Sequence, residues 1–259
     1  MRQILFEIGP IKVYGYGLMI AIGVVAAFMV AEMRASKKKL DADQIWSLGI
    51  WCAIGGFLGA KLLYVITEWE NLFSGSLDLR DILYGFVVYG GIIGGILSGY
   101  LYCKVKKLNF LKHFDIVMPS IALAQGFGRI GCFLAGCCYG RETDAWYGME
   151  FNHSVYYNMI GVKVIPTQLI MSAANFIHFF LLVMIANKAY KAGKDGMVAG
   201  CYLVFYSIGR FLIEFLRNDP RGGVGGLSTS QFISLFIFAV GVAMVLFFGL
   251  RKEKKEITE

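Results

Sequence analysis

Long apolar segments are the feature that most restricts how this chain can fold. Hydrophobic residues make up 57% of the 259 positions and charged residues only 17%, proportions typical of a membrane protein. A helix needs about 20 predominantly apolar residues to cross a bilayer. Seven stretches reach or approach that length: 13–33, 45–67, 83–103, 114–133, 169–186, 197–215 and 232–250. The sequence therefore predicts an all-α, polytopic membrane protein with seven transmembrane helices, forming a single integral membrane domain over residues 1–259.

The distribution of basic residues predicts the orientation of these spans. Lysine and arginine are concentrated after spans one, three, five and seven, and are fewer in the N-terminal segment and the other loops. The positive-inside rule then places the N-terminus outside and the C-terminus in the cytoplasm. These loop ends, which meet anionic headgroups, also account for the net charge of +7. Nucleic-acid binding is therefore not indicated.

The longest segment between spans, 134–168, falls on the outer side in this topology. A loop of this length in a compact domain is often functional. Its aromatic residues suit either a lid or the aromatic belt found at membrane interfaces. They include Trp146, Tyr147, Tyr156 and Tyr157.

Charged side chains inside the predicted spans require a specific explanation. Lys61, Arg129, Arg210 and Glu214 lie in otherwise apolar stretches. A charge at the bilayer centre costs about 2.5–3.5 kcal/mol on insertion scales, so such residues face a protein interior or a watery cavity. The excess of cations predicts a membrane-embedded site for an anion.

Two motifs contain the arginines. Arg210, Glu214 and Arg217 are spaced i, i+4 and i+7, which predicts one charged helical face. This face either joins helices through a neutralised network or binds phosphate, which guanidinium groups contact bidentately. In the second motif, Arg129 stands among glycines that include Gly128 and Gly131, which permit close helix packing or an irregular backbone beside a ligand.

The motifs, their order and the predicted topology resemble the bacterial prolipoprotein diacylglyceryl transferase family. The likeness runs from the segment 14–19 to Arg217 and is most specific at 128–131 and 210–217. The resemblance implies a multi-pass enzyme of the bacterial cytoplasmic membrane. Such enzymes transfer the diacylglyceryl group of phosphatidylglycerol to the lipobox cysteine of a prolipoprotein signal peptide, the first step of lipoprotein modification. The resemblance implies neither a cofactor nor a metal.

Residue roles follow from the same resemblance. Arg129 and Arg210 would stabilise the negative charge of the leaving phosphate, and Glu214 would orient Arg210 and Arg217. The candidate catalytic residues are Tyr89, Arg129, Arg210 and Glu214. The candidate substrate-binding residues are Arg129, Arg217, Lys61, Tyr16, Gly128 and Gly131.

The chain departs from the family pattern at several positions. Tyr89 stands where the family typically has a histidine, a candidate base, and Lys61 stands where it usually has an arginine. Cys132, Ala135 and Cys137 replace asparagine, asparagine and glutamate. These substitutions predict a divergent branch that activates the thiol by another route, uses another acceptor or is inactive. His178, within span five, is an alternative base.

Three cysteines, Cys132, Cys137 and Cys138, fall within seven residues. Their spacing is not a standard zinc arrangement, and metal binding, a disulfide and reduced packing remain alternatives. A transporter or flippase for an anionic lipid or solute is a rival hypothesis, because arginines at membrane depth also form substrate pathways. A non-catalytic lipid- or thiol-sensing protein is a third. Only the enzyme makes a covalent lipid–cysteine product.

Overall fold

The computed structural model describes residues 4–74, 78–152, 160–218 and 223–250, and helices dominate this part of the chain. The helices are α1 Gly15–Lys37, α2 Ala42–Thr67, α3 Trp69–Phe73, α4 Leu79–Tyr84, α5 Val88–Val105, α6 Phe110–Ala135, α7 Thr167–Lys191, α8 Met197–Glu214 and α9 Thr229–Gly249. Three antiparallel hairpins accompany them: β1 Ile4–Ile8 with β2 Ile11–Tyr14, β3 Met149–Glu150 with β4 Lys163–Val164, and β5 Gly223–Val224 with β6 Leu227–Ser228.

Six of the described helices, α1, α2, α6, α7, α8 and α9, are long and apolar enough to cross a membrane. The prediction of a helical, polytopic membrane protein is therefore confirmed. The third predicted span, 83–103, starts too early: α4 ends at Tyr84 and α5 begins only at Val88. Gly85, between them, has an extended backbone (φ −73°, ψ 126°), which interrupts the helix.

The described chain divides into two compact units, Met1–Ala31 with Phe114–Glu259, and Glu32–His113. In the first unit, α6, α7 and α8 pack around a buried apolar core. Its members include Met118, Ala122, Leu182, Ala186, Val198 and Ala199. The single domain over 1–259 stays a prediction.

A buried carboxylate links α6 to the start of α8 in the first unit. The Asp115 side chain accepts hydrogen bonds from the backbone N–H groups of Gly196 at 2.8 Å, Ala199 at 2.9 Å and Val198 at 3.4 Å. The first N–H groups of a helix have no partner within the helix. Asp115 supplies these partners, and it thereby fixes the helix that carries Arg210 and Glu214.

The loop between α6 and α7 has a small core of its own. Tyr139, Phe151 and Val164 are buried together, and the β3–β4 hairpin follows the first of them. Trp146 is 91% exposed, as a side chain at a membrane interface would be. The lid and belt alternatives stay predictions, and Tyr156 and Tyr157 lie outside the described residues.

In the second unit, α2 and α5 pack through glycines. Adding a Cβ atom to Gly94 would make it overlap the carbonyl oxygen of Gly55 and place it 3.0 Å from the Cα atom of Gly59. Small residues at such spacing let helix backbones approach closely in membranes. This contact sets the position of α5, near whose start Tyr89 lies.

We expect Gly94→Ala to destabilise the protein by about 1–3 kcal/mol, because the extra methyl group has no space between the helices. The midpoint of thermal unfolding in detergent would measure this. Gly17→Ala is the matched control, since a Cβ atom there meets nothing within 4 Å and alanine favours the helix. An unchanged midpoint for Gly94→Ala would contradict the close contact.

Candidate functional site

Arg210 and Glu214 form a nearly buried ion pair on α8. The Arg210 Nη1 atom lies 2.6 Å from Glu214 Oε2, and the two side chains are 10% and 7% exposed. Arg210 Nη2 donates a hydrogen bond of 2.6 Å to the Ser230 hydroxyl on α9. The predicted i, i+4 pairing is confirmed, and the guanidinium is held by two helices.

Arg217 does not extend the helical face of Arg210 and Glu214. The helix ends at Glu214, and the next turn tightens, so that the Arg217 N–H donates to the Glu214 carbonyl at 3.2 Å. Arg217 then forms an antiparallel bridge with Gly140 in the loop after α6. The prediction of one helical face for all three charges is therefore wrong at Arg217, because the helix stops before reaching it.

Arg217 instead contacts the cysteine segment after α6. It is buried, with 6% of its surface exposed, and its guanidinium lies within hydrogen-bonding reach of Cys138. Hydrogen bonds from Cys132 and from Cys137, and then the adjacent Arg217, lower the pKa of the Cys138 thiol below its ordinary value. A thiolate at Cys138 is the form that these neighbours favour.

Arg129 lies on α6, three residues before Cys132. Its charge acts on the Cys132 thiol and on the Tyr16 phenol of α1. A Cβ atom on Gly131 would lie 3.2 Å from the Tyr16 ring, so this glycine permits the approach of α1. A Cβ atom on Gly128 would meet nothing within 4 Å. Gly128 therefore borders open space next to Arg129.

Lys61 and Tyr89 belong to the second compact unit. The Lys61 ammonium donates to the carbonyl oxygens of Leu83 and Gly85, at 3.1 Å each, and lies 4.5 Å from the centre of the Phe86 ring. It thus satisfies the carbonyls left by the break between α4 and α5, which gives Lys61 a structural role. Tyr89, the second residue of α5, is 46% exposed.

His178 is buried among aromatic side chains of the first unit. Its ring stacks on Tyr202 with centroids 5.1 Å apart and meets the edge of Phe205 at 5.5 Å. Its Nε2 atom has no hydrogen-bond partner among the described residues. These contacts make His178 part of the α7–α8 packing, and they do not support the alternative that it is the base.

The sulfur atoms of Cys132, Cys137 and Cys138 all lie within 4.8 Å of one another. All six cysteines of the chain are free thiols. The clustering was visible in the sequence, but the convergence of the three side chains was not. Arg129, on α6, and Arg217, beyond the end of α8, both act on this cluster.

An apolar cavity of about 200 Å³ lies between α8 and α9. It is lined by Ser207, Ile208, Phe211, Leu212, Ser234, Leu235 and Phe238. The same two helices carry Arg210 and Ser230. An apolar chain and an anionic group could therefore be bound by neighbouring parts of one helix pair.

Comparison with known proteins gives a consistent result over nearly the whole chain. The family model for prolipoprotein diacylglyceryl transferase matches residues 3–247. The phosphatidylglycerol–prolipoprotein diacylglyceryl transferase of Clostridium tetani is 46% identical over 253 residues, covering 98% of this chain and 100% of that protein. Phosphatidylglycerol–prolipoprotein diacylglyceryl transferase 2 of Clostridium perfringens is 46% identical, over 94% of this chain and 94% of that protein. The transferase of Staphylococcus carnosus is 32% identical, over 93% of this chain and 88% of that protein. The chain belongs to the prolipoprotein diacylglyceryl transferase family.

Proposed function

We propose that this chain transfers the diacylglyceryl group of phosphatidylglycerol to the lipobox cysteine thiol of prolipoproteins, the first step of bacterial lipoprotein modification. The observation that carries the proposal is the buried Arg210, held by Glu214 and Ser230 within an apolar helix pair. Relatives covered along 94–100% of their length are named for this activity. The site thus combines fixed cations with an apolar surface, as a phospholipid requires.

The reaction is a substitution at a glycerol carbon. The acceptor thiol loses its proton, its sulfur forms a bond to that carbon, and the carbon–oxygen bond to phosphate breaks. Glycerol phosphate leaves with the electron pair of the broken bond. Negative charge therefore grows on the phosphate ester, where fixed cations lower the barrier most effectively.

The first compact unit supplies these cations. Arg129, Arg210 and Arg217 carry three positive charges against the single carboxylate of Glu214. Glu214 holds Arg210 in one orientation, and Gly128 leaves space beside Arg129 for a headgroup. In this proposal Tyr16, on which the Arg129 charge acts, donates a hydrogen bond to the phosphate. The cavity between α8 and α9 suits part of an acyl chain.

Lys61 and Tyr89 contribute differently in this proposal. Lys61 stabilises the start of α5 through the carbonyls of Leu83 and Gly85, and Tyr89 follows as a half-exposed phenol. Its hydroxyl can donate a hydrogen bond, and this is the role proposed for it.

The proposed location is the bacterial cytoplasmic membrane, with α5 as the seventh span. Its 18 residues are enough to cross the hydrocarbon region. The basic clusters favour an external N-terminus and a cytoplasmic C-terminus. This topology puts the loop 134–168 on the outer side, where it can approach a signal-peptide boundary.

A transporter of anionic lipids is the second candidate, because Arg210 would also bind a headgroup in transit. The two functions differ in their product. Phosphatidylglycerol with labelled acyl chains, incubated with the protein and a lipobox peptide, yields a heavier peptide only if transfer occurs. The peptide with its cysteine changed to alanine must remain unmodified.

In that assay we expect Arg210→Ala to lower transfer at least about 100-fold, the usual cost of removing one charge-stabilising donor from an active site. Mass spectrometry of the peptide would measure the rate. Arg141→Ala is the matched control, since its side chain is exposed and its structural contact to Leu216 is made by the backbone. If a properly inserted Arg210→Ala variant transfers at the normal rate, the Arg210 charge stabilises the structure and takes no part in the reaction.

We expect Arg129→Lys to lower transfer about 10-fold or more, because an ammonium is a point charge and does not reproduce the planar fork of guanidinium. The same peptide assay applies, with Arg141→Lys as control. Equal rates for Arg129→Lys and the unmodified protein would mean that Arg129 acts through charge alone.

A further inference from the structure

Three thiols converge at the C-terminal end of α6. Cys132 is on the last turns of the helix, and Cys137 and Cys138 follow its end at Ala135. Their sulfur atoms lie within 4.8 Å of one another, and each side chain is partly buried. No other group of three or more potential metal-binding side chains of this kind occurs in the described residues. The arrangement provides three soft ligands on one side of a small space.

The backbone around these thiols is held in an unusual conformation. Cys138 has φ +64°, which is uncommon for a residue with a side chain, and Gly136 has φ +69°. For a residue with a side chain such a conformation is strained, and it persists where the surroundings determine it. The chain turns back here, as the Cys137 N–H donates to the Cys132 carbonyl at 3.1 Å. This turn brings Cys138 toward Cys132.

Two fully buried side chains of α7 fix the turn. The Thr167 hydroxyl donates to the Cys138 carbonyl at 2.8 Å, and the Gln168 amide donates to the Cys137 carbonyl at 2.7 Å. Both residues are 0% exposed. The two carbonyl groups are thereby directed to α7, while the thiols remain on the side of Cys132. The three sulfur atoms are therefore positioned by the protein.

The dimensions and charges suit a divalent thiophilic cation. Zinc–sulfur bonds of about 2.3 Å in a tetrahedron place sulfur atoms about 3.8 Å apart, so the cluster needs only a small contraction. Three thiolates and a dication leave one negative charge. Arg217 lies within reach of Cys138, and Arg129 acts on Cys132. These arginines would balance that charge.

We propose that Cys132, Cys137 and Cys138 bind one zinc-like divalent cation as thiolates, and that its open fourth position binds the acceptor thiol. The second half rests on the proposed transferase function. Zinc sites with three protein ligands keep a fourth position for a reactant. A thiol that coordinates such an ion is deprotonated outright. The cation thus replaces the base that this chain lacks at Tyr89.

The proposed step balances without any redox change. The acceptor thiol releases its proton to solvent as its sulfur coordinates the cation. That sulfur then forms the bond to the glycerol carbon, and the phosphate oxygen takes the electron pair of the broken carbon–oxygen bond. The thioether product is a weaker ligand than the thiolate, which favours its release.

The test uses the full chain, purified without an affinity tag in bilayers containing phosphatidylglycerol and kept reduced by a phosphine. Cobalt(II) is added as a spectroscopic probe, and sulfur-to-cobalt absorption is recorded. We expect one cobalt per chain, with the visible bands of a tetrahedral thiolate site, and competition by zinc. The absence of these bands in reduced protein, or a disulfide that persists under reduction, would overturn the proposal.

The variants are chosen to separate loss of ligands from loss of fold. Cys138→Gly removes one thiol at a position whose φ favours glycine, so the protein should remain folded while cobalt affinity falls more than about 100-fold. Mutating a residue that only hydrogen-bonds a metal ligand already lowers metal affinity 10–100-fold. Cys137→Ser should behave similarly. Cys52→Ser, far from the cluster in sequence and in the other compact unit, should bind cobalt normally. Equal binding by Cys138→Gly would contradict the site.

Two further measurements test the fourth position. Adding the lipobox peptide to the cobalt-loaded protein should change the visible spectrum, whereas the same peptide with serine for cysteine should not. Transfer should stop when the ion is removed by a chelator and return with zinc. Full transfer by metal-free protein would overturn the role of the cation while leaving the transferase function standing. A cobalt site with no transfer under any condition would leave the metal site standing and refute the proposed function.

Discussion

Every backbone N–H and C=O group inside a bilayer must find its partner within the protein, because no water is available there. This constraint explains several polar residues in the apolar part of the chain. Asp115 satisfies the first N–H groups of α8. Lys61 satisfies the carbonyls before α5. Thr167 and Gln168 donate hydrogen bonds to carbonyl groups of the turn after α6. Each of these side chains supplies a hydrogen-bond partner to backbone groups that have none where a helix begins, ends or breaks.

The candidate site occurs beside one of these breaks. Gly140, after the cysteine turn, pairs with Arg217, after the end of α8. Two irregular segments thus supply hydrogen-bond partners to each other. Arg210 and Glu214, one turn earlier, remain within a regular helix and join it to α9 through Ser230. The charges that the proposed reaction needs are therefore held by rigid elements, which favours preorganised electrostatics.

Much of this arrangement could be predicted from the sequence, because hydrophobic length and helical spacing are local properties. The apolar segments anticipated the long helices, and the i, i+4 spacing anticipated the pair of Arg210 with Glu214. The misplacement of Arg217 arose because the end of α8 depends on pairing with Gly140, far away in sequence. The partners of Lys61 are backbone carbonyls, which no side-chain pattern reveals. The convergence of the three thiols depends on the positive φ of Cys138 and on hydrogen bonds from α7.

The contact between Asp115 and the start of α8 has a consequence for biogenesis. The residues that donate to this carboxylate lie more than 80 positions further along the chain. During synthesis the ribosome therefore completes α6 well before the donors exist, because they follow the end of α7. Burying a carboxylate without hydrogen-bond donors is costly, so burial of this end of α6 is favourable only once the start of α8 is available. Final docking of α6 would then be a late event that begins only when α8 has entered the membrane.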